Sequence, residues 1–364
     1  MTIYPKQTLR KISSYRPSVA EDKSKEAIRL SVNEGALGAS PSVFRIIKKW
    51  ALNPFSLHRY PDQIDEPLIQ SIASRYHLDP EKIVLGNGSD EIIQLLSTIY
   101  IDKGDDGVYT EYGFLVFPQS IKIAGGQPIL ARDKNFTVNI DNIIKCISKK
   151  TKIVFLANPN NPTGTMIPKI DLINLIKSLP TNIILVIDSA YAEYVQDQDY
   201  TDGSEFVEEF NNVVMLRTFS KIHGLASLRL GWAYCPKSIA NTLKSLRAPF
   251  SVNSLAVLAG KAAIEDIEFQ RKSVDHNLFW KEWIFKELTK LNIDVLPSVA
   301  NFFLINLQNE ENANNCIKFL AERKIYVRGM APYKLGSFIR VSIGNEYEMK
   351  KFVSDLIKFY VKNK

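Results

Sequence analysis

Val213-Val214-Met215-Leu216-Arg217-Thr218-Phe219-Ser220-Lys221 is an apolar run that ends on a hydroxyl and an amine, and Arg229 follows eight positions later. The intervening His223-Gly224-Leu225-Ala226-Ser227-Leu228 is too small and turn-rich for an ordinary amphipathic helix. The run therefore predicts a buried strand whose end presents Lys221. A lysine in a partly buried, cationic setting has a lowered pKa and becomes a good nucleophile. Ser220 and Arg229 are the groups a phosphate dianion would need beside it. Together they suit Schiff-base chemistry on a phosphorylated aldehyde. A lone lysine after a strand is otherwise a surface charge, so the surrounding chain has to decide.

Outward from this run, helical patterns alternate with short apolar segments from about residue 65 to residue 221. Strands are expected at 82–85, 107–109, 153–157, 183–188 and 213–217, with helices such as 90–101 and 170–178 between them. Strands that are apolar throughout and separated by helices indicate an α/β fold with a mostly parallel sheet covered on both faces. Ligands of such sheets collect at the carboxyl ends of the strands. Asp188 and Lys221 both stand at such ends. After residue 247 the pattern changes. Helices are expected at 253–264 and 269–291, the second long enough to link domains. A smaller α/β unit follows from 301–307, helical 312–323, 325–328 and 338–343. Met349, Phe352, Val353, Leu356, Ile357 and Tyr360 recur at three- and four-residue steps, the packing stripe of a final helix. The expected division is an N-terminal arm with part of the small domain at 1–44, a large domain at 45–250, and a linking helix with the small domain at 251–364.

Composition narrows the function classes. The chain's 364 residues allow two domains, and 45% apolar with 23% charged residues is ordinary for a globular protein. The net charge of +7 is spread along the chain, which favours anionic substrates mildly. No nucleic-acid-binding pattern accompanies it. Cys146, Cys235 and Cys316 lie far apart without CxxC spacing and read as reduced cytosolic thiols. His58, His77, His223 and His276 are equally scattered, so no metal site is expected. There is no signal-peptide pattern and no run long enough to span a bilayer. A cytoplasmic enzyme, without nucleic-acid or membrane partners, is the expectation.

Several strings could carry chemistry. Asp188 ends Ile183-Ile184-Leu185-Val186-Ile187, and a carboxylate delivered by a buried strand needs a cation or a strong donor. A pyridinium nitrogen fits, and an aspartate that keeps it protonated makes the ring a better electron sink. Tyr191 could reach the same ligand; a helix cap is the plainer role for Asp188. Asn158-Pro159-Asn160-Asn161-Pro162-Thr163-Gly164 is a rigid turn at a strand end, holding the Asn161 amide where it could donate to a phenolate oxygen. Gly86-Asn87-Gly88-Ser89-Asp90-Glu91 joins a strand to a helix that Ser89 or Asp90 would cap, leaving N–H groups suited to an anion. It is neither a Walker A loop nor a dinucleotide fingerprint. Tyr112 could stack on a planar ligand or pack in the core. Arg328 and Arg340 near strands of the small unit could grip a carboxylate or phosphate, or be surface charges.

In order and spacing these strings resemble those of the fold-type I pyridoxal-phosphate aminotransferases, most closely the branch acting on histidinol phosphate. The resemblance runs from about Tyr15 to the C-terminus. It includes Arg59-Tyr60-Pro61, the Gly86–Glu91 and Asn158–Gly164 strings, Asp188-Ser189-Ala190-Tyr191, Arg217-Thr218-Phe219-Ser220-Lys221 with Arg229, and Ile339-Arg340-Val341. It implies a large domain with a mostly parallel sheet between helices, plus a smaller α/β domain. It also implies pyridoxal 5'-phosphate as cofactor. Lys221 would attach to the cofactor and then carry the proton at substrate Cα. Asp188 would pair with the pyridine nitrogen, Asn161 and Tyr191 with the phenolic oxygen, and Tyr112 would stack on the ring. Ser89, Asp90, Ser220 and Arg229 would cradle the phosphate, and Tyr60 would reach the phosphate of a neighbouring subunit in a homodimer with shared sites. Arg340 would hold the substrate anion, assisted by Arg328, Tyr15 and Asn33. The implied reaction is transfer from L-histidinol phosphate to 2-oxoglutarate. An aromatic amino-acid donor is a second option, and a phosphothreonine-type decarboxylase a third. The chain departs from the usual pattern at Gly35-Ala36, Ser189, His223 and Ser227, which bears on the substrate more than on the cofactor.

Overall fold

The computed structural model describes residues 26–53, 57–61 and 65–362. Numbered in chain order, the first eight strands are β1 Ile28–Arg29, β2 Ile83–Gly86, β3 Asp106–Thr110, β4 Gln127–Ala131, β5 Thr151–Ala157, β6 Ile184–Asp188, β7 Val213–Thr218 and β8 Gly231–Tyr234. The remaining five are β9 Asp294–Leu296, β10 Phe302–Asn306, β11 Ile325–Tyr326, β12 Arg328–Gly329 and β13 Phe338–Ser342.

Seven strands form one sheet in the order β2-β8-β7-β6-β5-β3-β4. All of its pairings are parallel except those made by β8, which runs antiparallel to both β2 and β7. Alternate residues of the inner strands feed different cores, as a pleated strand requires. Leu185, Ile187, Val213 and Met215 enter the core on one face, with Leu68, Leu172 and Val257 of the covering helices. Val186, Val214 and Leu216 enter the core on the other, with Ile93, Phe117 and Leu243. Every residue of β6 and β7 is buried, which is why neither strand alternates in sequence.

The five strands expected in this sheet are present, and β4 and β8 are additions. The helix Ser89–Tyr100 corrects one expectation. Its N-cap is Gly88 at φ 81°, and no side chain caps it. Ser89 and Asp90 lie inside the first turn instead, so that turn's N–H groups stay open to a ligand.

A third core gathers Phe303, Ile305, Val341, Met349, Phe352 and Leu356, and Ile28 and Leu30 join it from the other end of the chain. It is built on the antiparallel sheet β12-β13-β10-β9 and the parallel pair β1-β11. The helix Ile267–Thr289 runs for 23 residues, adds Trp280, Ile284 and Leu288 to this core, and is capped by Asp266, whose side chain accepts from the Phe269 N–H. Among the described residues no helix is long and apolar enough to cross a membrane, and no His, Cys, Asp and Glu cluster could hold a metal ion.

Candidate active site

The carboxyl ends of β5, β6 and β7 open into a cavity of about 210 Å³. Lys221 stands on its wall, three residues beyond the end of β7, and its Nζ donates to the Val32 carbonyl at 3.0 Å. Burial pushes the amine down to about 8. The Arg340 guanidinium pushes in the same direction, against the carboxylates of Glu34 and Asp90. Gly35 lets the chain pass close behind: a Cβ there would sit 2.7 Å from the Lys221 carbonyl oxygen.

Asp188, the last residue of β6, faces the same cavity. It accepts from the Ala190 N–H at 3.1 Å and has no ion-pair partner among the described residues. Burial first and Asp90 second raise this carboxyl to about 7, although Ala190 and Lys221 act the other way. A cationic ring nitrogen is what would restore it to its ordinary range.

One end of the cavity is built for an anion. Ser89 and Asp90 begin their helix there, and Arg229 adopts a left-handed backbone at φ 55°. Its guanidinium donates to the Ser220 hydroxyl at 3.3 Å and lies 3.5 Å from Asp90. Gly88 packs flat beneath it: a Cβ at that position would stand 2.5 Å from Arg229. Bare helix N–H groups, a hydroxyl and a guanidinium thus converge.

The other end is polar in a different way. Arg340 is buried and donates to the Asn161 side-chain oxygen and, at 2.8 Å, to the Ser31 carbonyl. Asn161 is held by a closed loop in which Asn158 bonds Ile167 both ways, at 3.0 and 3.2 Å. Both proline bonds of the loop, after Asn158 and after Asn161, are cis. Asn33, in a left-handed conformation, donates through its amide to the Tyr191 hydroxyl at 3.0 Å. That leaves the phenol's own proton for another acceptor, and burial pushes its pKa up.

Lys221, Asp188, Tyr191, Asn161, Ser89, Asp90, Ser220, Arg229, Asn33 and Arg340 therefore share one cavity. Three expected residues do not reach its wall. Tyr112 tilts against Phe136, with ring centroids 5.9 Å apart, because it joins an apolar cluster with Phe338; Phe114 is the ring on the wall. Tyr60 is exposed and stacks on Phe250, with ring centroids 4.7 Å apart. Arg328 is the register partner of Arg340 in the next strand, away from the wall. Tyr15 lies outside the described residues. Glu34, Thr218 and Phe114 line the cavity without having been expected there; Glu34 and Phe114 stand one and two positions from residues that were.

Two of the departures from the usual pattern, His223 and Ser189, are buried behind the wall. His223 is buried against Phe219 at 4.7 Å and kept neutral, its pKa pushed down to about 3 by burial and by Arg217. Ser189 donates to the Asp202 carbonyl at 2.7 Å. Arg217 binds Asp202 at 2.5 Å and Glu193 at 3.0 Å, with its guanidinium 4.7 Å from the Tyr76 ring. This buried pair of bridges ties β7 to the segment that follows Tyr191.

The sequence profile of "Aminotransferase class I and II" matches residues 25–356. The chain belongs to that family. It is an aminotransferase. Among its relatives is the histidinol-phosphate aminotransferase of Paramagnetospirillum magneticum, 41% identical over 354 residues that cover 96% of this chain and 97% of that one. That of Rhodospirillum centenum is 42% identical over 336 residues, 92% of each chain. A crystal structure of histidinol-phosphate aminotransferase from Sinorhizobium meliloti in complex with pyridoxal-5'-phosphate superposes with a TM-score of 0.91, covering 100% of this chain and 99% of that one at 23% identity. The enzyme from Clostridium acetobutylicum gives 0.82 at 26% identity, covering 92% of this chain and 99% of that one. The aminotransferase fold is thus the expected fold-type I architecture, a mostly parallel sheet between helices.

Proposed function

We propose that the chain transfers the amino group of L-histidinol phosphate to 2-oxoglutarate, giving imidazole acetol phosphate and L-glutamate, with pyridoxal 5'-phosphate as its cofactor. This would be a step of histidine synthesis. The observation that carries the reading is the single cavity in which a depressed lysine, a cation-seeking aspartate and an anion cradle meet. Relatives named for this reaction, 41% and 42% identical over nearly the whole chain, support the choice of donor.

The cavity's residues fit the cofactor. Asp188 would hold the pyridine nitrogen protonated, the cation its buried carboxylate lacks. Arg229, Ser220, Ser89 and the bare helix start would hold the phosphate. Asn161 would donate to the phenolic oxygen with its amide nitrogen, since its amide oxygen is engaged by Arg340. Tyr191 would donate its phenolic proton to the same atom. When bound, the cofactor supplies an electron sink for charge developing at substrate Cα.

Lys221 supplies the nucleophile, because an amine held near pKa 8 is deprotonated far more often than an ordinary lysine. The same Nζ would take the proton from substrate Cα and deliver it elsewhere on the bound ligand. Arg340 would fix the donor's anionic group, with Arg328 adding positive potential from the adjacent strand and Asn33 bracing Tyr191. Fixing the donor at one end orients the Cα–H bond toward the amine.

A homodimer with shared sites belongs to the same proposal. Leu52, Leu57, Tyr60 and Phe250 are exposed apolar groups, and a second copy is the occupant that Tyr60 would serve. Three free cysteines support a cytoplasmic location.

The test mixes purified holoenzyme with single amino donors and follows the cofactor's absorbance. Histidinol phosphate should bleach it and 2-oxoglutarate should restore it. An unchanged spectrum with histidinol phosphate, alongside bleaching by aromatic amino acids, would overturn the donor assignment.

A further inference from the structure

A second, much smaller cavity of about 10 Å³ lies behind the active site. Residues 35–38 form one side, Tyr194 and Ile222 another. Ser273 and Asn277 of the helix Ile267–Thr289 close it together with Asn301 and Ile343. It therefore sits where the large sheet's loops, the long helix and the third core meet.

Two of its wall residues carry an unusual feature. Asn277 and Asn301 are each 2% exposed, and the side-chain oxygen of each is buried without a hydrogen-bond partner. Turning either amide over does not help. The Asn277 nitrogen donates to the Ala300 carbonyl at 3.4 Å, and the Asn301 nitrogen donates to the carbonyls of Asn33 and Glu34 at 3.2 and 3.3 Å. A flip would set oxygen against oxygen at both places. Buried polar groups without partners are rare, and each calls for a donor.

We propose that this cavity binds one water molecule, which donates one proton to the Asn277 oxygen and the other to the Asn301 oxygen. The match is stoichiometric: two orphaned acceptors and a ligand with two donors. The volume is also that of about one water on the scale where roughly 10–15 Å³ suffices. Asn277 and Asn301 then act as positioning residues. The water links the long helix to the turn before β10, and Asn301 passes the constraint to the backbone of Asn33 and Glu34. Asn33 holds the Tyr191 hydroxyl, and Val32 accepts from Lys221. Slackening this tether would loosen the segment that lies against the nucleophile.

A crystal structure of the holoenzyme at about 1.5 Å should show one ordered water within hydrogen-bond distance of both oxygens. A dry cavity, or a water touching only one amide, overturns the proposal however the variants behave. Hydrogen exchange of the peptide spanning residues 31–38 tests the tether. Asn277→Leu fills the space and removes the acceptor, and should speed that exchange by about tenfold or more. Asn277→Ala leaves room for a second water to replace the amide and should have the smaller effect. Ordinary loss of packing ranks the two the other way, so Ala at least as disruptive as Leu, or no change in either, sinks the positioning role.

Discussion

Arg328 and Arg340 are register partners on neighbouring antiparallel strands, and both are about 5% exposed. Like charges directly opposite on a ladder repel, and burial raises the cost of each. Arg340 spends part of its charge on Asn161 and Ser31 and still stands on the cavity wall. An anion arriving in the cavity would meet Arg340, the member of the pair that stands on its wall. Arg340 is thus the residue proposed to select a phosphate-bearing or carboxylate-bearing donor.

Arg340→Ala should therefore lower kcat/KM for an anionic donor by about 30-fold or more, since truncating one member of a buried charge-assisted contact costs about 2–5 kcal/mol. Most of the loss should appear in KM. Steady-state kinetics with the phosphorylated donor and 2-oxoglutarate measure it, and an unchanged KM would remove Arg340 from substrate binding.

Lys221→Ala should fold, because the side chain contributes one hydrogen bond to the Val32 carbonyl and one contact with the Tyr191 ring, 5.7 Å from its centroid. Borohydride treatment of the variant mixed with cofactor should leave no added mass on the chain, and turnover should be lost. A reduced adduct persisting on the variant would place the nucleophile elsewhere.

The raised pKa of Asp188 makes the cofactor-free protein sensitive to pH. Its carboxyl titrates near 7 when folded and near 3.8 when unfolded. Between those values the folded state binds the extra proton, so this residue's contribution to stability is present at low pH and falls as pH rises from about 4 to about 7. Asp188→Asn should flatten that slope. Urea midpoints at pH 5 and pH 7 for both proteins decide it, and equal slopes would contradict the assignment.

Subunit mixing tests the reach of Tyr60. If this tyrosine serves the neighbouring site, a mixed dimer of Lys221→Ala and Tyr60→Ala chains has one wholly intact site. Refolding equal amounts together should recover up to about one quarter of the wild-type activity, because half the dimers are mixed and each has one good site. No recovery above the sum of the two separate variants would show that Tyr60 acts within its own chain or not at all.

The strand ends were legible because β6 and β7 are apolar throughout and stop on polar residues, so the sequence pattern itself marks where buried backbone meets a ligand. β8 is four residues long and follows directly on the Arg229 turn, and β4 carries a proline, so neither stood out from its surroundings. Tyr112 and Phe114 show the limit at the level of single side chains. Both are aromatic and two positions apart, and only the Phe136–Phe338 cluster, assembled from a turn and a distant strand, draws Tyr112 aside. The role of Glu34 was hidden for a related reason. It is brought to the wall by contacts spanning most of the chain, such as Arg340 to Ser31 and Ser342 to Asn33. Local periodicity does not encode those pairings. Gly88 escaped notice as the helix cap because its role depends on a positive φ and not on a side chain.

The reaction chamber draws its walls from Val32 to Arg340. Lys221 leaves the ribosome 119 residues ahead of Arg340, which at roughly 5–20 residues per second is an interval of roughly 6–24 s. Throughout that time the nascent polypeptide carries its reactive amine without the guanidinium that later sits across from it. The arginine proposed to hold the donor's anion is accordingly the last of the site's side chains to be made, after every residue proposed to hold the cofactor.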